Sequence, residues 1–207
     1  MVVQVRTIVD EYLQAMEEVG RSLSRMDIRR AVDVLYVCWR REGTVFAVGN
    51  GGSASTATHL ACDLAKTTIV PGRGRLRTMA VGDNLPLNSA WTNDGGFSSV
   101  FAEQLEPWLT ERDVLVALSV HGGSGEGNAG PWSQNLTRAV DLARERGARV
   151  IGLSGFGGGA LARSADVSIV VPIDSEPFGT PLVESWHVAI HHLLCLALRE
   201  RIEEARD

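Results

Sequence analysis

Five short apolar segments, each separated from the next by a stretch with helical spacing, constrain the fold of this chain most strongly. Continuous apolar runs of this length are typical of strands that are buried on both faces. Their alternation with helices predicts an α/β fold with a parallel sheet that helices cover on both sides. The predicted strands comprise residues 44–48, 76–81, 114–118, 150–153 and 167–171.

The segments around these strands predict the helices. Apolar and charged residues alternate at helical spacing over 5–19 and 27–41, which predicts two N-terminal helices. Further helices are predicted after the first strand to about residue 66, and over 98–109, 133–146, 159–165 and 181–205. A length of 207 residues suits one domain. We divide residues 1–207 into a helical pair (1–42), a sheet core (43–175) and a C-terminal helix (176–207).

Composition excludes several classes of protein. The formal net charge of -5 argues against general nucleic-acid binding, which needs clustered lysine and arginine. No cationic start precedes an apolar run, and no segment approaches the length of a membrane span, so we expect a cytoplasmic protein without a membrane partner. The three cysteines lie in apolar helical stretches, and we interpret all of them as reduced packing residues: Cys38, Cys62 and Cys195.

A glycine-rich loop, Gly49-Asn50-Gly51-Gly52-Ser53-Ala54, follows the first predicted strand. It matches the dinucleotide fingerprint G-x-G-x-x-G/A, but the second strand lacks the acidic residue that the fingerprint requires at its end. A phosphate cradle is the simpler interpretation, because glycines let the backbone approach an anion at a helix N-terminus and Ser53 adds a hydroxyl donor. The alternative is an ordinary tight turn in which Ser53 caps the helix.

A second loop of similar composition, Ser119-Val120-His121-Gly122-Gly123-Ser124, follows the third predicted strand. Open parallel sheets bind ligands at the carboxyl ends of strands where the strand order reverses, so two such loops favour a binding site. Hydroxyl groups and free amides suit a phosphate monoester. Serine and glycine are also common in ordinary turns, which is the alternative here.

Histidines and carboxylates gather on two predicted helices. His59 and Asp63 are four residues apart and project from one helix face. On the last helix, the eight residues from Glu184 to His192 amount to about 800° of rotation, which leaves both on roughly the same side. That helix also carries His187 and His191. A single helical histidine is usually structural, but this concentration favours a functional site.

These residues together resemble the phosphoheptose isomerase branch of the sugar isomerase (SIS) proteins. The resemblance rests on the first loop, His59, Asn93-Asp94, Ser119 with Gly122 and Ser124, and Glu184-x-x-His187-x-x-x-x-His192. It covers nearly the whole chain. It implies a single SIS domain with a five-stranded parallel sheet, two N-terminal helices and a long C-terminal helix. It also implies a homotetramer with active sites between subunits.

The resemblance also implies roles for individual residues. Phosphate binding falls to Ser53, Ser119 and Ser124, and sugar contacts fall to Asn50 and Asp94. The zinc ligands implied are His59, Asp63, Glu184 and His192. Asp63 is then the candidate base and His192 the candidate acid. The full set expected to bind phosphate or sugar is Asn50, Gly51, Gly52, Ser53, Asp94, Ser119, His121, Gly122, Ser124 and Glu184.

The sequence departs from the family pattern at several positions. Asp63 stands where the family has glutamate, and Glu184 stands where it has glutamine, although both carboxylates can ligate zinc. His121 and Gly123 replace the usual serine and asparagine, and residues 125–132 look remodelled. We hypothesise that His121 compensates for the shorter Asp63 or selects a different sugar; the alternative is a solvated loop residue.

The implied function is an aldose–ketose isomerase of a phosphorylated sugar, with sedoheptulose 7-phosphate as the default substrate and a metal-assisted enediol as the route. One alternative is a non-catalytic SIS protein that binds a phosphosugar or another protein and has a regulatory role. Another is an isomerase or epimerase of a different phosphosugar, in a cell-surface or secondary-metabolite pathway.

Overall fold

The computed structural model describes residues 2–123, 133–173 and 176–205. Within these ranges one sheet contains five strands, all parallel, in the order β2-β1-β3-β4-β5. The strands are β1 (Thr44–Gly49), β2 (Arg77–Ala80), β3 (Val114–Leu118), β4 (Arg149–Gly155) and β5 (Val167–Val171). The predicted α/β fold and five-stranded parallel sheet are confirmed, and each strand lies within about two residues of its predicted bounds.

Helices surround this sheet. The described helices are α1 (Val2–Ser22), α2 (Arg25–Arg40), α3 (Gly52–Thr67), α4 (Leu85–Gly95), α5 (Val100–Leu105), α6 (Gln134–Glu145), α7 (Gly159–Ser164) and α8 (Gly179–Glu203). A short 3-10 turn, Phe97–Ser99, precedes α5. The two N-terminal helices and the long C-terminal helix are therefore present as predicted. Helix α4 was not predicted.

The strand sequences are continuously apolar because both faces of the sheet are buried. Along β1, Val45 and Ala47 face a core that includes residues of α2, α3 and α8. Phe46 and Val48 face a second core on the opposite side, which includes residues of α5 and α6. Successive side chains of a strand point to opposite faces, so each strand supplies both cores.

The strand order reverses between β1 and β3, and this reversal positions the candidate site. β1 pairs with β2 on one side and with β3 on the other, and Gly49 lies opposite Leu118. The loops that leave β1 and β3 therefore begin side by side at the carboxyl edge of the sheet. This edge is where open parallel sheets bind ligands.

Helix α8 meets the length and composition of a membrane span, which corrects the expectation that no segment does so. An 18-residue window within Gly179–Glu203 has a mean hydropathy of 1.2. In this structure 44% of that window is buried, and α8 packs against α2 and α3. Its buried face therefore belongs to the domain core.

The cysteines divide into two kinds. Cys38 and Cys195 are buried and reduced, as expected, and burial raises the pKa of each thiol to about 12. Cys62 is exposed on α3, so the expectation that it packs in the core was wrong. The apolar neighbours of Cys62 in sequence belong to the opposite face of the helix, since Leu60 and Ala61 are buried.

His187, on the buried face of α8, predicts a loss of stability in acid. It is fully buried, and burial lowers the pKa of its imidazole from 6.5 to about 4. In the unfolded chain this histidine binds a proton below pH 6.5, whereas in the folded chain it does so only near pH 4. The contribution of neutral His187 to the unfolding free energy is therefore complete above pH 6.5 and is lost as the pH falls toward 4. From pH 7 to pH 5, the unfolding free energy of the unsubstituted chain falls. We expect this fall to be about 2 kcal/mol smaller in the His187→Met variant. Urea unfolding at both pH values measures this, and equal losses would contradict it.

Candidate active site at the carboxyl edge of the sheet

The first glycine loop joins β1 to α3. Gly51 precedes the helix with φ of 57°, and no side chain caps the helix N-terminus. A side chain at Gly49 would collide with the Ser53 carbonyl group, so the close turn requires glycine there. Ser53 is buried, and no hydrogen bond joins its hydroxyl to any residue that the structure describes. The loop thus offers uncapped N–H groups and a free hydroxyl donor, which suit an anion or a sugar oxygen.

Asn50 is held by a partner that the sequence did not reveal. Its Nδ2 donates to Oδ1 of Asn135 at 3.0 Å, and Nδ2 of Asn135 donates back to Oδ1 of Asn50 at 2.8 Å. Asn135 is fully buried at the start of α6 and also accepts the backbone N–H of Leu136 at 2.9 Å. This amide pair fixes the first loop against α6. The one available signal was an asparagine at a predicted helix start, which does not specify its partner.

The second loop is braced by its own serine and by the turn before α7. Oγ of Ser119 accepts the backbone N–H of Gly123 at 3.0 Å. Gly122 and Gly123 have φ of 72° and 87°, in the left-handed region that favours glycine. Gly122 packs directly on the backbone of Gly158. Ser124 and the remodelled segment 125–132 lie outside the described residues.

Two other predicted binding residues make local contacts. The His121 ring packs against Phe156, with centroids 4.4 Å apart. Asp94, in the last turn of α4, is exposed and accepts from Nδ2 of Asn93 at 2.8 Å. A cavity of about 220 Å³ lies beside the first loop between Asn50 and Asn88, and Asp94 does not line it.

Three imidazoles and one carboxylate converge between α3 and α8. Oδ2 of Asp63 lies 3.2 Å from Nε2 of His191, 3.3 Å from Nε2 of His192 and 3.4 Å from Nε2 of His59. We call these four residues the His/Asp cluster. Their ligand atoms all lie within 4.8 Å of one another. His59 and His192 are about half exposed, whereas His191 is fully buried.

The His/Asp cluster fits a tetrahedral divalent ion. Zinc bonds to imidazole nitrogen and carboxylate oxygen at about 2.0–2.2 Å, which places neighbouring ligand atoms about 3.3–3.6 Å apart on the edges of a tetrahedron. The three distances from Oδ2 of Asp63 are within about 0.1 Å of this range. Burial, followed by the charge of His192, lowers the pKa of His191 to about 4, so this imidazole is neutral at pH 7. The neutral form is the one that ligates a metal.

The cluster differs in one member from the four ligands expected from the family resemblance. His59, Asp63 and His192 lie together, but Glu184 does not belong to the group. The Glu184 carboxylate packs on Gly52, at the start of α3. Its eight-residue separation from His192 is about 12 Å along the helix axis, although both face the same side. His191, which the sequence placed on this helix without a ligand role, supplies the fourth group.

Comparison with known proteins agrees with this fold. The family model of the SIS domain matches residues 9–155. The chain is 39% identical to the phosphoheptose isomerase of Rhodospirillum rubrum over 168 residues, which are 81% of this chain and 82% of that protein. It is 54% identical to the lincomycin biosynthesis protein LmbN of Streptomyces lincolnensis over 164 residues, which are 79% of this chain and 58% of that protein. The chain thus spans little more than half of LmbN.

A solved structure extends the likeness to nearly the whole chain. The phosphoheptose isomerase GmhA from Neisseria gonorrhoeae superposes with a TM-score of 0.80 at 28% sequence identity. The superposition covers 95% of this chain and 97% of that chain. By fold, family match and sequence identity, this chain belongs to the SIS domain family, in the branch that contains the phosphoheptose isomerases.

Proposed function

We propose that this protein is an aldose–ketose isomerase that acts on a phosphorylated sugar through an enediol. The proposal rests on one observation: the first loop lies at the start of α3, and the His/Asp cluster lies about two turns further along the same helix. His59 follows Gly52 by seven residues on α3, a rise of about 10 Å. An open-chain sugar phosphate can therefore present its phosphate to the glycine loops while its carbonyl end reaches the cluster.

The two oxygens of Asp63 support separate tasks. Oδ2 faces the three imidazoles, whereas no hydrogen bond joins Oδ1 to any residue in the described part of the chain. Oδ1 is the candidate base that moves the carbon-bound proton between C1 and C2. His192 is half exposed beside it and is the candidate acid for the oxygen protons. A bound zinc ion would polarise the carbonyl as a Lewis acid.

Two candidate substrates follow from the relatives. Sedoheptulose 7-phosphate is the default, because proteins named phosphoheptose isomerase match nearly the full chain. A phosphorylated sugar of a secondary-metabolite pathway is the second candidate. The higher identity to LmbN, a protein of lincomycin biosynthesis, supports it, as do the family departures at Asp63, His121 and Glu184.

One experiment tests the activity and separates the two candidates. Purified protein supplemented with zinc is incubated with phosphorylated ketoses of different chain length, and the products are separated by chromatography. Formation of the corresponding aldose phosphate supports an isomerase, and the ketose with the highest kcat/KM identifies the substrate. Phosphosugar binding without turnover on any ketose would favour the non-catalytic alternative.

Assembly and location are proposed with the same function. We propose a cytoplasmic homotetramer with active sites between subunits. Helix α4 supports an oligomer, since none of its residues is buried within one chain and Leu85 is 75% exposed at its start. Light scattering of the purified protein measures the subunit number.

We predict that Ser53→Ala weakens binding of a phosphorylated ketose by about 1.5–3 kcal/mol, or roughly 10- to 150-fold. The reason is that Ser53 offers a hydroxyl without a partner to the anion. Isothermal titration with a phosphorylated ketose and its unphosphorylated analogue measures the difference.

Ser55→Ala is the matched control for this variant. Ser55 lies in the same turn of α3, but it is exposed and its hydroxyl donates to the Gly52 carbonyl at 2.7 Å. We expect it to leave both affinities unchanged. If Ser53→Ala weakened both ligands equally, Ser53 would support the fold and would not hold phosphate.

A further inference from the structure

We propose that His191 completes the metal ligand set with His59, Asp63 and His192, and that Glu184 is not a ligand of this ion. The inference deepens the proposed function and rests on its metal site. It assigns to this chain a set of three histidines and one aspartate. The family resemblance implies instead two histidines and two residues with oxygen ligands.

The geometry at Asp63 favours His191. One oxygen atom, Oδ2, is a common corner from which the Nε2 atoms of three imidazoles lie at 3.2–3.4 Å. Three edges meet at each corner of a tetrahedron, and the lengths of these three suit bonds of about 2.0–2.1 Å. His191 provides the shortest of the three distances. Without His191, one corner of the tetrahedron has no ligand atom.

The burial of His191 is difficult to explain by packing alone. Its side chain is fully buried, and Ile190 and Leu194 next to it on α8 are apolar core residues. Its other ring nitrogen, Nδ1, has no hydrogen-bond partner among the described residues. An apolar residue would fill this position without desolvating a polar ring. Among the described residues, the contact with Asp63 is the hydrogen bond that orients the ring, and it turns Nε2 toward the cluster.

The Glu184 carboxylate lies apart from the four residues of the cluster in this structure. It precedes His191 by seven residues, which is about 10 Å along the axis of α8. Its carboxylate packs on Gly52, which precedes His59 by the same number of residues on α3. α3 and α8 thus pair in register, with the cluster about two turns beyond the first loop. Glu184 lies at the end where the first loop meets the ligand.

The ligand set has a mechanical consequence. Two ligands come from α3 and two from α8, so a bound ion ties these helices together. An ion that binds only the folded chain raises its stability in proportion to the logarithm of its concentration over its dissociation constant. Metal binding therefore has a thermal readout that is independent of isomerase activity.

The test compares His191→Leu, His191→Cys and Glu184→Ala with the unsubstituted chain. Leucine fills the buried space without a ligand atom, whereas cysteine offers a thiolate that zinc and cobalt bind. Zn²⁺ affinity is measured by competition with a chromophoric chelator, and Co²⁺ is added to record the ligand-field spectrum. Circular dichroism and the unfolding temperature without metal verify that each variant folds.

We expect His191→Leu to weaken Zn²⁺ binding by at least ~100-fold and to reduce the rise in unfolding temperature on adding Zn²⁺. His191→Cys should retain Zn²⁺ and add a sulfur-to-cobalt charge-transfer band. Glu184→Ala should change Zn²⁺ affinity by less than about threefold, since it removes no atom of the cluster.

Two results would overturn the inference in different ways. In the first, the unsubstituted chain binds Zn²⁺ and isomerises a phosphorylated ketose, and the folded His191→Leu variant has the same Zn²⁺ affinity. His191 would then not belong to the ligand set, and the proposed function would stand. Absence of Zn²⁺ and Co²⁺ binding by the unsubstituted chain would overturn the inference together with the metal-assisted mechanism.

Discussion

Replacing Asp63 with asparagine is expected to lower kcat/KM for a phosphorylated ketose by roughly 10²- to 10⁴-fold, the usual contribution of a positioned base. Asparagine has the same size and can keep the contacts of the side chain, but it cannot accept the carbon-bound proton. The loss should appear in kcat as well as in kcat/KM, because proton transfer belongs to the transition state. Steady-state kinetics on zinc-loaded protein, with metal content measured in parallel, provides the data.

Two control variants make this result specific. Asp63→Glu restores the longer carboxylate of the family and should retain far more activity than Asp63→Asn, since it remains a base. Cys62→Ser changes the neighbouring exposed residue and should be neutral. If Asp63→Asn kept the full kcat/KM, Asp63 would not be the base, and another group would have to move the proton.

The strands and the two loops could be predicted because burial leaves a strong mark on sequence. Strands buried on both faces have to be apolar throughout, and β3 is buried along its whole length. The loops carry glycines where the backbone turns sharply or packs closely, as at Gly49 and Gly122. Local sequence therefore specified the strand–loop–helix units. The placement of both loops at the strand reversal came from the sheet order, which pairs β1 with β2 and β3.

Helix α4 escaped prediction for the opposite physical reason. Hydrophobic periodicity reveals a helix only where one face packs against a core. No residue of Leu85–Gly95 is buried, so its sequence carries no such period. Its cap was the remaining signal, since Asn84 accepts the N–H of Leu87 and Pro86 stands at the helix start. These cap residues also occur in ordinary turns.

The ligand set shows what rotation alone leaves out. Glu184 and His192 were placed on one side of α8 from their angular separation, but two atoms can bind one ion only if they are also close along the axis. His191 follows Ile190 in an apolar stretch and has the mark of a core position, which hid its contact with Asp63. That contact joins residues 128 apart in sequence, so only the packing of α3 on α8 reveals it.

Gly122→Ala is expected to lower the unfolding free energy by about 4 kcal/mol. Single substitutions cause losses of this size by only a few mechanisms, and a collision with backbone is one of them. Gly122 has φ of 72°, and a methyl group there would collide with the carbonyl group of Gly158, which is backbone and cannot rotate away. The loop cannot withdraw either, because the Gly122 carbonyl accepts the N–H of Leu161 at 2.9 Å and Leu161 is fully buried.

Gly123→Ala separates this collision from the strain of the backbone conformation. Gly123 has φ of 87°, but a methyl group there would meet only ordinary side-chain contacts at 3.7 and 3.9 Å. The left-handed conformation alone costs about 1–2 kcal/mol for alanine, so Gly123→Ala should lose about that much. Urea unfolding of both variants, followed by tryptophan fluorescence, gives the difference. A loss at Gly122 no larger than the loss at Gly123 would mean that the second loop does not depend on its contact with the turn before α7. In that case glycine at position 122 would be needed only for the local turn, and the second loop would keep its conformation without α7.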